Sequence, residues 1–142
     1  LTLIDADTEI EKEQGMTITD IFKKFGEPRF RDIEAEVIKR LSAMKSVVIS
    51  TGGGAVLRRE NMDNLRKNGV IVCLWAEPET VLQRTKRDTS RPLLQVDNPL
   101  QKIKELLEFR KPYYEKADIM IDTESRTPSA IANEIIEKIK KM

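Results

Sequence analysis

The sequence has 142 residues, 39% of them apolar and 35% charged, which fits one folded domain with its own core rather than a disordered chain. Lysine plus arginine (25) nearly cancels aspartate plus glutamate (24), so the charge balance does not point to nucleic acid as the main partner. Histidine is absent, which removes histidine triads, histidine metal ligands and histidine acid–base chemistry. The lone cysteine, Cys73, has no intrachain disulfide partner and reads as a buried core thiol suited to a reducing compartment.

Residues 1–4 form a short apolar run ending in Asp5-Ala6-Asp7, the end of a strand. Thr17 reads as an N-cap with Asp20 three residues on, and Ile18, Ile21, Phe22 and Phe25 follow at helical spacing. Gly26 ends that helix. A second starts near Pro28, with Phe30, Ile33, Val37 and Leu41 along one face. The β-branched run Val47–Ser50 predicts a buried strand that stops at Gly52-Gly53-Gly54. A polar helix over 59–67 closes at Asn68-Gly69, and 70–74 is the next buried strand.

Pro78 occupies the first turn of a helix carrying Val81, Leu82 and Arg84. Residues 85–98 are basic, polar and marked by Pro92, and read as a loop. Asn98-Pro99 opens another helix with Ile103, Leu106 and Leu107 inward. A short strand at 119–121 precedes Thr127-Pro128, which opens the last helix with Ile131, Ile135, Ile136 and Ile139 on its buried face. Strands that are continuous apolar runs, alternating with helices, predict an α/β fold: a parallel sheet with helices on both faces. No repeat, linker or low-complexity segment interrupts it.

Ligands of parallel α/β sheets bind beyond the carboxyl ends of the strands. Asp5 and Asp7 follow the first strand. One alternation apart, they either share a face, one near a metal and one near a substrate, or simply cap the next element. Gly52, Gly53 and Gly54 follow the second strand. They form either a flexible turn or a surface whose amides a ligand approaches with no Cβ in the way. Arg31, Arg84, Arg91 and Arg110 stand near turns or helix ends. Each offers a planar fork for carboxylate or phosphate, with surface exposure as the plain alternative. Arg31 lies one turn from Glu34, so a helical ion pair is its simplest role.

Five segments in order, Leu3-Ile4-Asp5-Ala6-Asp7, Phe30-Arg31-Asp32-Ile33-Glu34, Ser50-Thr51-Gly52-Gly53-Gly54-Ala55-Val56, Arg91-Pro92-Leu93-Leu94 and Arg110-Lys111-Pro112-Tyr113-Tyr114, resemble the motifs of shikimate kinases. The resemblance covers essentially the whole chain. It implies a P-loop kinase fold of the nucleoside monophosphate kinase type, as a single domain over 1–142 with a lid at 85–98. It also implies ATP-dependent phosphorylation of the shikimate 3-hydroxyl to shikimate 3-phosphate, within aromatic amino acid biosynthesis.

By that resemblance Asp7 contacts the shikimate hydroxyls and is the candidate base. Asp5 acts near Mg²⁺ through water. Arg31 and Arg110 grip the carboxylate, and Glu34 holds Arg31. Gly52, Gly53 and Gly54 line the substrate floor, and Arg91 reaches the transferring phosphate from the lid. Arg84 and the segment 126–128, with Arg126, flank the adenine. A monomeric cytoplasmic enzyme acting on a small molecule, with no nucleic acid or membrane partner, is the expectation.

A member of this family carries Gly-x-x-x-x-Gly-Lys-Ser/Thr after its first strand, and these residues contain no such segment. We expect one β-loop-α unit of roughly 25–30 residues ahead of Leu1, supplying the central strand of the sheet and the phosphate loop. Two alternatives are a kinase for another polyhydroxylated acid such as gluconate, and a non-catalytic shikimate-binding relative. The paired arginines with the triple glycine favour shikimate over the first, and Arg91 argues against the second.

Overall fold

The computed structural model describes residues 1–85 and 98–142 of the chain. Those residues fall into two compact units, 1–69 and 70–85 with 98–142. The expected lid and Arg91 lie outside the described residues.

The first unit opens with strand β1 (Thr2–Asp5), followed at once by helix α1 (Ala6–Gln14). Gly15 ends α1 with φ +65°, a left-handed turn that a Cβ would strain. Helix α2 (Ile18–Ser42) is N-capped by the Thr17 side chain, which accepts from the Asp20 amide. It breaks at Gly26 (φ +83°, ψ 170°), two residues before Pro28, so the two predicted helices meet at a kink. Strand β2 (Val47–Ser50) pairs parallel with β1 in the register Leu3 to Val48 and Ile4 to Ile49. A 3-10 turn (Gly53–Leu57) leads into α3 (Arg59–Asn68).

The core of this unit is the apolar stripe of α2 laid against α1. Ala6, Ile10, Ile18, Ile21, Phe30, Ile33, Val37 and Leu41 are buried together, with Ile4, Met16, Phe22 and Ile49 packed on them. Burying each large side chain stabilises by roughly 1.5–3 kcal/mol. That removal of apolar surface, more than the polar α1 sequence itself, keeps α1 in place.

The second unit holds β3 (Val72–Trp75), α4 (Pro78–Thr85), α5 (Pro99–Tyr114), β4 (Ile119–Asp122) and α6 (Pro128–Lys140). β3 and β4 pair parallel, Val72 to Ile119 and Leu74 to Ile121. Side chains do the capping. Asn98 accepts from the Gln101 amide, Thr127 from the Ala130 amide, and Asp118 from the Ile71 amide at 2.8 Å. Ala76, Ile103, Ile119 and Ile121 are buried here.

The fold class is α/β with parallel strands, as the alternation predicts. Three local expectations change. Asp7 lies in the first turn of α1, not one alternation beyond Asp5 on a strand. The strands are less buried than their composition suggests, with Leu3, Val48 and Leu74 exposed and Cys73 half-buried. The isoleucine face of α6 is not buried either: Ile131 and Ile135 are partly covered, and Ile136 and Ile139 are exposed. Among the described residues no helix is long and apolar enough to cross a membrane.

Candidate functional site

In the first unit, the carboxyl ends of β1 and β2 bring Asp5, Asp7 and the glycines to one place. Asp5 is both the last residue of β1 and the N-cap of α1. Its Oδ1 accepts from the Asp7 amide at 3.2 Å and its Oδ2 from the Thr8 hydroxyl at 3.1 Å. The capping reading of Asp-x-Asp therefore holds for Asp5, while Asp7 is carried one turn inward and is half-buried. Beside Asp7 stands Gly52. A Cβ built on Gly52 would lie 3.6 Å from Asp7 Oδ1 and 3.7 Å from Glu34 Oε2.

Arg31 and Glu34 come from the second arm of α2. Glu34 is almost completely buried and accepts from Arg31 Nη1 at 3.0 Å. The pair is the i,i+3 contact the spacing allows, but it is an interior one, so breaking it from one side is costly. Arg31 Nε is buried and has no hydrogen-bond acceptor among the described residues. Glu27 Oε1 stands 3.8 Å from it, too far to accept. The guanidinium also covers Gly54: a Cβ there would fall 2.5 Å from Nη1 and 2.6 Å from Cζ. Gly52 has φ −68°, and a Cβ there would make only ordinary van der Waals contacts, so neither backbone freedom nor crowding demands glycine at this position. The Ala55 amide donates to the Gly52 carbonyl at 3.2 Å and closes the 3-10 turn, leaving Gly53 exposed.

Two contacts fix that turn from outside, and the sequence gives little sign of either. Arg58 pairs with Asp32 at 2.6 Å and with Glu60 at 3.5 Å, and the Asp32 bond holds the guanidinium pKa above its usual value. Asn61 is buried and its Nδ2 donates to the Ala55 carbonyl at 2.9 Å. Arg58 is one of two adjacent arginines, and Asn61 is a lone amide in a polar helix. Neither pattern marks a site.

In the second unit the end of β4 gathers two predicted residues. Arg84 donates from Nη1 to the Thr123 hydroxyl at 2.8 Å and from Nη2 to the Thr123 carbonyl at 3.1 Å. The buried Thr123 hydroxyl in turn donates to the Trp75 carbonyl at 2.8 Å, tying Arg84 to both strand ends. Arg126 donates to the Asp122 carbonyl at 3.0 Å and pairs with Glu134 at 2.6 Å. Both arginines are held by the edges of their guanidinium groups. Glu124 accepts from the Glu77 amide (2.8 Å) and the Thr80 hydroxyl (2.9 Å), and these bonds hold its carboxyl below the ordinary range. Arg110, on α5, is partly buried, and its Nε is buried without an acceptor among the described residues.

The described residues contain no cluster of three or more acidic, cysteine or histidine side chains able to hold a metal by themselves. Asp5, with one bond on each oxygen, keeps acceptor capacity for a metal-bound water but offers no multidentate cage.

Comparison with known proteins identifies the family. The family model for shikimate kinase matches residues 1–140. A shikimate kinase of Thermodesulfovibrio yellowstonii is 55% identical over 139 residues, covering 98% of this chain and 80% of that protein. One from Thermus thermophilus is 44% identical over 140 residues, covering 98% of this chain and 76% of the relative. Among solved structures, a shikimate kinase from Acinetobacter baumannii in complex with shikimate superposes with a TM-score of 0.95 at 41% identity, covering 99% of this chain and 79% of its own. The Aquifex aeolicus shikimate kinase gives 0.83 at 38% identity, with 99% and 82% covered.

Proposed function

The chain belongs to the shikimate kinase family, and from that premise we propose that it phosphorylates the 3-hydroxyl of shikimate with ATP, using the site built around Asp7, Arg31 and Gly52–54. One observation carries the substrate assignment. Arg31 is pinned between Glu34 and the bare α-carbon of Gly54, with a buried Nε that lacks an acceptor among the described residues, and Asp7 stands beside Gly52. A carboxylate bearing hydroxyls fits such a set: the carboxylate meets a charged planar fork, and a hydroxyl meets a carboxylate able to take its proton.

The chemistry then divides among the residues. Asp7 accepts the proton of the attacking hydroxyl. Arg31 and Arg110 hold the substrate carboxylate, so the hydroxyl to be phosphorylated is chosen by position. The amides of Gly52, Gly53 and Gly54 form the floor, and the bare α-carbon of Gly54 makes room for the Arg31 guanidinium. Arg84 and Arg126 present their guanidinium faces to the adenine, and Arg91 supplies charge at the transferring phosphate. Phosphoryl transfer needs positioning and charge neutralisation rather than a covalent protein intermediate. Asp5 would hold Mg²⁺ through water, and the ion, when bound, neutralises phosphate oxygens. We read the chain as one catalytic domain of a monomeric, cytoplasmic enzyme. Its single cysteine, with no intrachain disulfide partner, supports the compartment.

The test is ATP-dependent phosphorylation of shikimate alongside an intact-mass measurement on the same sample. Formation of shikimate 3-phosphate with little turnover of gluconate is the expected result. Preference for gluconate, or shikimate binding with no phosphorylation at all, would overturn the reading.

A further inference from the structure

We infer that Asn61 is a positioning residue of the substrate site, acting through the glycine turn; the inference rests on the shikimate-site reading above. Asn61 lies in the first turn of α3 and is 1% exposed. It is the one buried side chain that reaches the turn by a hydrogen bond among the described contacts, Nδ2 to the Ala55 carbonyl at 2.9 Å. Its own Oδ1 is buried and finds no donor among the described residues. An amide buried half-satisfied is a poor choice for packing, because an apolar side chain of similar size would leave no orphan acceptor. Its use must lie in the bond it does make.

That bond reaches the site in two steps. Ala55 is the residue after Gly54, whose α-carbon lies under the Arg31 guanidinium. The Ala55 amide also closes on the Gly52 carbonyl, and Gly52 flanks Asp7 and Glu34. Fixing the Ala55 carbonyl therefore fixes the peptide on both sides of the substrate floor. The other tether, Arg58 to Asp32, sits on a part-exposed pair that salt screens, so it is the weaker hold. A turn freed from Asn61 would let the floor shift against Arg31, and misplacement of that kind is felt in substrate affinity before anything else.

Asn61→Asp keeps the shape and loses the donor, and Asn61→Leu removes both polar groups. Calorimetric titration of shikimate should show affinity reduced about tenfold in each, with the KM for ATP unchanged. A purely structural role predicts something else, a fall in stability with equal losses for both substrates, and that result would overturn the inference. So would wild-type affinity in a folded variant. Wild-type protein that does not bind shikimate overturns the substrate reading and this inference with it. Should both variants fail to fold, NMR of the wild type decides. Asn61 side-chain amide signals that move on shikimate addition support the positioning role, and signals that stay fixed refute it.

Discussion

The guanidinium of Arg31 lies directly on the α-carbon of Gly54, so close that a methyl group at Gly54 would sit 2.5 Å from Nη1. Two residues 23 positions apart thus share one space, and the shorter one is glycine because the longer one occupies it. Gly54→Ala should displace the guanidinium, the far end of a flexible side chain, at modest cost to the fold. The expected effect is a loss of shikimate affinity of about 10–100-fold, read by calorimetry, with a much smaller change in melting temperature. Unchanged affinity would remove Arg31 from the substrate site.

Glu34→Ala leaves Arg31 partly buried with its interior partner gone. Breaking a buried pair from one side costs about 3–5 kcal/mol. Denaturant unfolding should show a stability loss near the lower end of that range, since Arg31 keeps some solvent contact. Shikimate affinity should fall with it.

Asp7→Asn tests the base. The amide keeps the size of the carboxylate and cannot take the hydroxyl proton. Turnover should drop about 10²–10⁴-fold while shikimate still binds. Near-normal turnover in steady-state assays would rule Asp7 out as the base.

Arg110→Ala should act differently. Its guanidinium is assigned to ground-state binding, so the apparent KM for shikimate should rise about 10–100-fold, the value of a charged hydrogen bond, with kcat much less affected. Equal losses in kcat and kcat/KM would place Arg110 in the transition state instead.

Acid should weaken the second unit at Glu124. The Glu77 amide first, then the Thr80 hydroxyl, hold its carboxyl below the ordinary value of 4.5. A depressed folded pKa means the stabilisation is complete above the unfolded value and is lost as pH falls through the folded one. Glu124→Gln should melt below wild type at neutral pH, and the gap should close well below pH 4.5. A gap that persists in acid would show that charge plays no part.

The sequence carried the architecture where one residue type decides the outcome. Gly26 before Pro28 announced the break in α2, Thr17, Asn98 and Thr127 announced their caps, and Val47–Ser50 announced its strand. It failed where burial depends on partners. α1 offers only Ala6 and Ile10 to the core, a single helical interval hidden among acidic residues, so no periodicity exposes it. The α6 isoleucines have helical spacing, yet spacing alone does not supply a surface to cover them. The site shows the same division. Arg31 and Glu34 were legible as a pair because i,i+3 is a local rule. Asn61 to Ala55 and Arg84 to Thr123 join residues that only the folded chain makes neighbours.

Asp5 ends a strand and caps a helix with the same side chain, so no loop separates β1 from α1. The Asp7 backbone therefore has little slack: it shifts only if a helix unwinds or a strand unzips. As the base proposed above, Asp7 would act as a fixed gauge, with fitting left to whatever moves against it. A polyol acid whose hydroxyl fell short of that gauge would then be held by its carboxylate and left unreacted. On this view, fidelity among similar sugar acids is set by reach rather than by grip.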